Sequence, residues 1–249
     1  MNENINEGIK KYVAMQKNLY SGWDPISLVG SYQWHDNFPY ITNFLYRNGD
    51  LNKPLLDNLS EKIALDFGCG PGRMIKRMNK IFKRVDGVDT SQNVLDYAKN
   101  IFGLNNLYLS SGYDIGEASK NKYDFIYTCI TMQHIASRTI RNMIFDEFSK
   151  VLNKDGIVSI EIAYYEDSSF LGVNAEYMED KYDAKSTNGG CDVIINEKVL
   201  PLFINDLSNY FTNINYHLVR VNDKFNNLGG AQHPQCELSH FLFIYGNPK

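Results

Sequence analysis

No stretch of this sequence approaches the roughly 18 consecutive apolar residues needed to cross a bilayer. Its start, MNENINEGIKK, lacks the apolar core of a secretory signal. A cytoplasmic protein without a membrane partner is therefore expected. A basic excess is also missing. Twenty-five Lys and Arg stand against 29 Asp and Glu, a net charge of −4, which withholds the positive field that nucleic-acid binders use. No nucleic-acid partner is expected. Cysteine is scarce and scattered: Cys69, Cys129, Cys191 and Cys236 lie 45 or more positions apart with no Cys-x-x-Cys pair, so neither a zinc ribbon nor a disulfide framework is signalled. Internal repeats and low-complexity runs are absent.

From residue 62 onward, short apolar runs alternate with helical patterns, as a parallel sheet covered by helices on both faces requires. Residues 62–67 read as a buried strand ending at the turn Gly68-Cys69-Gly70-Pro71-Gly72. A helix over 73–82 and a strand over 84–89 follow. The next helix carries Val94, Leu95, Ala98, Ile101 and Phe102 on one face, with Thr90 or Ser91 as its cap. Strands are expected at 106–110, 123–129 and 157–163, and a helix capped by Ser137 precedes the last of these. Residues 164–195 break the rhythm with a polar, tyrosine-rich insertion, and insertions of that length are usually functional. A helix over 196–210 and strands over 213–221 and 237–245 complete the pattern, joined by a loop with Asn226, Asn227, Gln232 and His233. In the first 60 residues, helices over 8–20 and 39–48 read as a lid, because so short a stretch buries too little surface to fold alone.

A strand ending in an acid, three glycines, a helix, and a second acid, Asp89, 21 positions after Gly68 form a cofactor-binding arrangement. Glycine allows a ligand to press against the backbone, and the helix start offers free N–H groups. A carboxylate about 20 residues further on suits the hydroxyls of a ribose. The dinucleotide fingerprint asks for glycine or alanine three positions after its second glycine, where this chain has Arg73. That counts against a nicotinamide cofactor and an oxidoreductase.

Residues 65–73, LDFGCGPGR, resemble the first motif of the class I S-adenosylmethionine-dependent methyltransferases, and Val88-Asp89-Thr90-Ser91 its following acidic position. Residues 123–129 through Met132-Gln133-His134-Ile135 are similar to the family's fourth-strand motif, and 151–156 to the turn before its fifth strand. The resemblance implies a Rossmann-like α/β fold: a seven-stranded, mostly parallel sheet with helices on both faces. Its last strand would lie antiparallel between the fifth and sixth.

The resemblance also implies contacts with S-adenosyl-L-methionine. The Gly68, Cys69, Gly70, Gly72 loop would pass beneath the methionine part, with Asp66 behind it near the ammonium. Asp89 would hold the ribose hydroxyls and Thr90 would lie beside the adenine. Tyr113 and Asp114 would sit at the other face and amino edge of the base. The backbone at Thr128 or Cys129 would accept from the ammonium. Apart from the resemblance, Tyr20 is a lid aromatic placed to reach the cofactor. No metal is expected, since family members that use one resemble each other in an acid where this chain has Thr128.

A small-molecule acceptor fits what remains. The Pro-Pro motif of nucleic-acid amino-methylating relatives is absent at 128–131, and so is the paired-glutamate loop of the arginine enzymes. Tyr164, Tyr165, Asn174, Tyr177 and Asn188, with the last loop, suit recognition of a hydroxylated acceptor such as a sugar or nucleotide-linked sugar. His134 is the first choice for a base that removes the acceptor proton and His233 the second. Trp34, His35 and Gln133 are candidates for acceptor contact. An amine acceptor and a non-catalytic binding module stay open, as does a homodimer.

Overall fold

A computed structural model describes residues 7–22, 24–25, 38–165, 193, 195–220 and 240–249. Two helices come first, α1 (Glu7–Ser21) and α2 (Phe38–Leu45). They are followed by β1 (Ile63–Phe67), α3 (Arg73–Met78), β2 (Arg84–Asp89), α4 (Gln92–Phe102), β3 (Leu107–Leu109), β4 (Tyr123–Cys129), α5 (Arg138–Val151) and β5 (Leu152–Tyr164). Then come α6 (Leu200–Leu207), β6 (Phe211–Arg220) and β7 (His240–Pro248).

The seven strands form one sheet in the order β3-β2-β1-β4-β5-β7-β6. The pairings from β3 to β5 are parallel, while β7 runs antiparallel to both β5 and β6. The chain order reverses between β1 and β4, so the ends of these two strands open a crevice where α/β sheets take ligands.

Apolar alternation in the strands sends alternate residues to two cores. Leu65, Phe67 and Ile126 pack with α1, α5 and α6 on one face, while Ala64, Phe125 and Tyr127 pack with α2 and α3 on the other. The two N-terminal helices therefore separate. α1 buries Ile9, Tyr12, Val13 and Gln16 at helical spacing and leans over the crevice. α2 carries Phe44, which is fully buried and meets Phe243 and Tyr127 edge-on at 5.0 and 5.9 Å. The lid expected over residues 1–60 thus reduces, among the described residues, to α1, because α2 has enough apolar surface to belong to the core.

Local signals acted as expected at Ser137, whose hydroxyl accepts from Ile140 N–H at 3.3 Å to cap α5. Ser91 sits at the cap of α4 without a side-chain bond to the helix. Ile101 differs too: it is exposed, because the buried stripe of α4 ends at Ala98.

Candidate active site

The glycine turn begins where β1 ends. The amides of Gly68 and Cys69 both donate to Val88 O, at 2.8 and 3.0 Å, which folds the chain back beneath the end of β2. Gly68 has φ 76°, and a Cβ there would fall 2.1 Å from Thr131 Oγ1. Only glycine allows the two strand ends to close on each other. Gly72, φ 81°, caps α3, and its missing Cβ makes room for Leu104 of the α4–β3 connection. Gly70 has nothing within 4 Å of a would-be Cβ, so the middle of the turn faces open space.

Two carboxyls flank this turn. Asp89 Oδ2 accepts from Gly70 N–H at 2.9 Å and Oδ1 from Ser91 N–H at 2.9 Å. The acid thus ties the turn to β2 and keeps lone pairs for a further donor, since a carboxylate offers about four acceptor sites. Burial raises its pKa, and the donated N–H groups partly offset this. Asp66 is 2% exposed, and its Oδ2 has no hydrogen-bond partner among the described residues. Burial pushes its pKa up to about 8; the Tyr127 hydroxyl and the Arg73 guanidinium pull the other way without overcoming it. A buried acid that keeps one oxygen unpartnered at a cavity wall is a site for a cationic donor.

The opposite wall is Cys129, Ile130 and Thr131, followed by the short 3-10 turn Met132–His134. Burial holds the thiols of Cys69 and Cys129 well above their ordinary pKa, so both stay protonated and unreactive. α1 closes the top. Tyr12 Oη donates to His134 O at 3.1 Å and accepts from Ala136 N–H at 2.7 Å, while Val13 sits where a Cβ on Gly112 would fall. The Tyr20 ring meets His134 edge-on at 6.2 Å. Together these walls enclose a cleft of about 240 Å³ at the carboxyl ends of β1, β2 and β4.

A family model described as "Methyltransferase domain" matches residues 64–156. Those residues run from β1 into β5 and contain both flanking carboxyls and the glycine turn. Residues 64–156 thus carry a methyltransferase domain of the S-adenosylmethionine-dependent type. It is similar to a ubiquinone biosynthesis O-methyltransferase of Bartonella tribocorum, 31% identical over 107 residues. That match takes in 42% of this chain and 41% of the relative, so the chain spans well under half the length of that protein. In fold it is similar to the protein of the DhpI-SAH complex, with TM-score 0.55, 11% identity, and 96% and 97% of the two chains covered. An S-adenosylmethionine-dependent methyltransferase from Clostridium acetobutylicum is also similar, with TM-score 0.52, 16% identity, and 94% and 96% covered.

The cleft fits S-adenosylmethionine on its own terms. The unpartnered Asp66 oxygen would take the ammonium, the open turn at Gly70 leaves room above the backbone, and Asp89 keeps acceptor capacity for sugar hydroxyls.

Of the residues singled out from sequence, Asp66, Gly68, Cys69, Gly70, Asp89, Thr90, Cys129, Tyr20 and His134 all line this one cleft. Several others stand apart from it. Gly72 packs against Leu104 instead, and Thr128 is fully buried within β4. Asp114 spends Oδ1 on the amides of Ser111 and Gly116, tying a turn whose Ser110 and Gly112 line the cleft in its place. Tyr113 packs against the core cluster. Gln133 needs correction as an acceptor contact: it is 6% exposed, its side-chain oxygen accepts from Ala163 N–H at 2.8 Å, and its carbonyl accepts from Val193 N–H. Trp34, His35 and His233 lie outside the described residues.

Tyr12 and Thr131 also line the cleft and carried no signal in the sequence, and Arg73, there only the end of the glycine motif, lines it too. Tyr12 sits on the buried face of α1, where its spacing is indistinguishable from that of a core aromatic. Among the described residues no group of three His, Cys, Asp or Glu is placed to hold a metal ion, and no helix is long and apolar enough to cross a membrane.

Proposed function

We propose that this chain transfers a methyl group from S-adenosylmethionine to a hydroxyl oxygen of a small polar acceptor, a sugar or nucleotide-linked sugar, with His134 as the base. The observation that carries this reading is His134 itself, the histidine that lines the same cleft as the glycine turn and both flanking acids. Bound in the cleft, the cofactor supplies a methyl group already activated by its sulfonium. What remains for the protein is to place an oxygen in line and exclude water.

Asp66 would hold the amino-acid end and Asp89 the sugar, fixing the cofactor along the turn. His134 is anchored by its own backbone, donating from N–H to Thr131 O at 3.0 Å and accepting from Tyr12 at its carbonyl, so its ring is presented from a fixed turn. A neutral imidazole takes the hydroxyl proton as the oxygen–carbon bond forms. The ends of the 164–195 insertion stand beside this site: Tyr165 N–H donates to Ile195 O and Val193 N–H to Gln133 O, each at 2.9 Å. The last loop starts and ends on paired residues, Arg220 and His240. The described residues that flank both segments therefore meet at the carboxyl end of β5, where Tyr164 pairs with His240 and an acceptor would enter. The resemblance to an O-methyltransferase favours oxygen over nitrogen.

Release of S-adenosylhomocysteine, measured with sugars, nucleotide-linked sugars and small amines as acceptors, tests the reading. His134→Ala is expected to keep cofactor affinity within about threefold and to cut turnover at least ~100-fold. Unchanged turnover would refute the base, product methylated on nitrogen would move the reading to an amine acceptor, and cofactor binding without turnover on any acceptor would make the chain a binding module.

A further inference from the structure

β5 carries a carboxylic acid in its interior, Glu161, which is fully buried between β4 and β7. Its Oε2 accepts from Ile130 N–H at 2.6 Å. Ile130 is the first residue beyond β4 and has φ 61°. A β-branched residue in that left-handed region is an outlier that persists only where its surroundings impose it. The acid is not one of the groups that line the cleft, so its contact with Ile130 acts through the backbone.

Thr131 follows directly. Its side chain occupies the space that Gly68 leaves open, and its hydroxyl donates to Cys129 O at 3.1 Å. The Thr131 carbonyl accepts from His134 N–H at 3.0 Å, starting the turn that presents the histidine. The sharp bend at Ile130 thus aims both the contact on the glycine turn and the turn bearing His134. Cys129 and the Tyr40 hydroxyl of α2 face the same carboxyl, and burial raises its pKa to about 8.

We propose that Glu161 is a positioning residue: by holding Ile130 in its left-handed conformation it seats Thr131 on Gly68 and sets the shape of the cofactor cleft and the placement of His134. In relation to the function proposed above it names a residue that organises the same site from behind, and it rests on the cofactor reading only for its effect on affinity.

Two measurements on the full chain test it: S-adenosylhomocysteine affinity by calorimetry, and amide hydrogen exchange of a peptide spanning 128–132. Glu161→Ala is expected to weaken affinity at least about tenfold and to raise exchange across that peptide. Glu161→Gln keeps a carbonyl oxygen for Ile130 N–H and is expected to stay within about threefold of the parent.

The discriminating variant adds Ile130→Gly to Glu161→Ala. Glycine takes φ > 0 without strain, so most of the lost affinity returns if the acid acts by imposing that conformation. A packing role would be worsened by removing a second side chain. Folding of each variant is checked by its cooperative melt. Parental affinity and exchange in Glu161→Ala, or no recovery in a folded double variant, would overturn the proposal. A parent chain that does not bind S-adenosylhomocysteine would sink the cofactor reading instead, and the exchange comparison between Glu161→Ala and Glu161→Gln would still decide the role of Glu161.

Discussion

Single atoms decide the chemistry of the floor. Asp66 carries its proton near neutrality because burial costs its charged form more than Tyr127 and Arg73 return. An ammonium placed against it reverses that balance and expels the proton. Calorimetry of cofactor binding at pH 7 in buffers of different ionisation enthalpy should therefore report release of up to about one proton, and Asp66→Asn should abolish it. Gly68 is constrained by its neighbour as much as by its dihedral, with Thr131 Oγ1 2.1 Å from any added Cβ. Gly68→Ala is expected to destabilise the fold by ~1–3 kcal/mol and to weaken cofactor affinity at least about tenfold, read from chemical denaturation and from titration. Both residues were legible in the sequence, since an acid and spaced glycines after an apolar strand have a local signature. Thr131 and Glu161 were not: an ordinary threonine and an acid inside an apolar strand acquire meaning only when β1, β4 and β5 lie side by side.

Elements show the same division. Strand and helix alternation from β1 to β5 was readable because each element buries one periodic face, and Ser137 marked a helix start. Boundaries moved where packing overrode pattern. α3 stops at Met78 and α6 is confined to Leu200–Leu207, although the apolar spacing extends further in both. The two N-terminal helices looked alike in sequence, yet one lies over the cleft and the other in the core, a difference set by which sheet face each finds. Beside its buried Ile9 and Val13, α1 is held by one hydroxyl. Tyr12→Phe would leave the buried Ala136 N–H and the His134 carbonyl without that partner, at an expected cost of ~1–3 kcal/mol. Hydrogen exchange should show α1 opening well before the sheet, and intact protection of α1 would contradict this account of its seat.

Across the whole molecule, buried ionisable groups set how stability varies with pH. Asp66 and Glu161 both have pKa values raised to about 8 by burial. The folded state holds their protons while the unfolded chain gives them up, so their contribution is complete below their ordinary range and is lost as pH rises toward 8. His217 works in the opposite sense. It is stacked on Phe243 at 5.3 Å, and burial lowers its pKa to about 4, so its contribution is present above the ordinary histidine range and is lost as pH falls toward 4. Between those limits the effects partly cancel, and above about 6.5 the carboxyls act alone. The melting temperature of the chain without cofactor is expected to fall from pH 6.5 to 8.5, and Glu161→Gln to flatten that fall; a rise over the same interval would contradict it. The seven-strand order was implied by family resemblance and not by periodicity, which is silent on which strands become neighbours. That order also bears on how the chain is made. β7 is synthesised last of the seven strands yet stands between β5 and β6, so during translation the edge strand β6 emerges before the strand it pairs with. The half of the sheet that carries the glycine turn is complete before this happens, and β6 joins it only when the final strand slides into place.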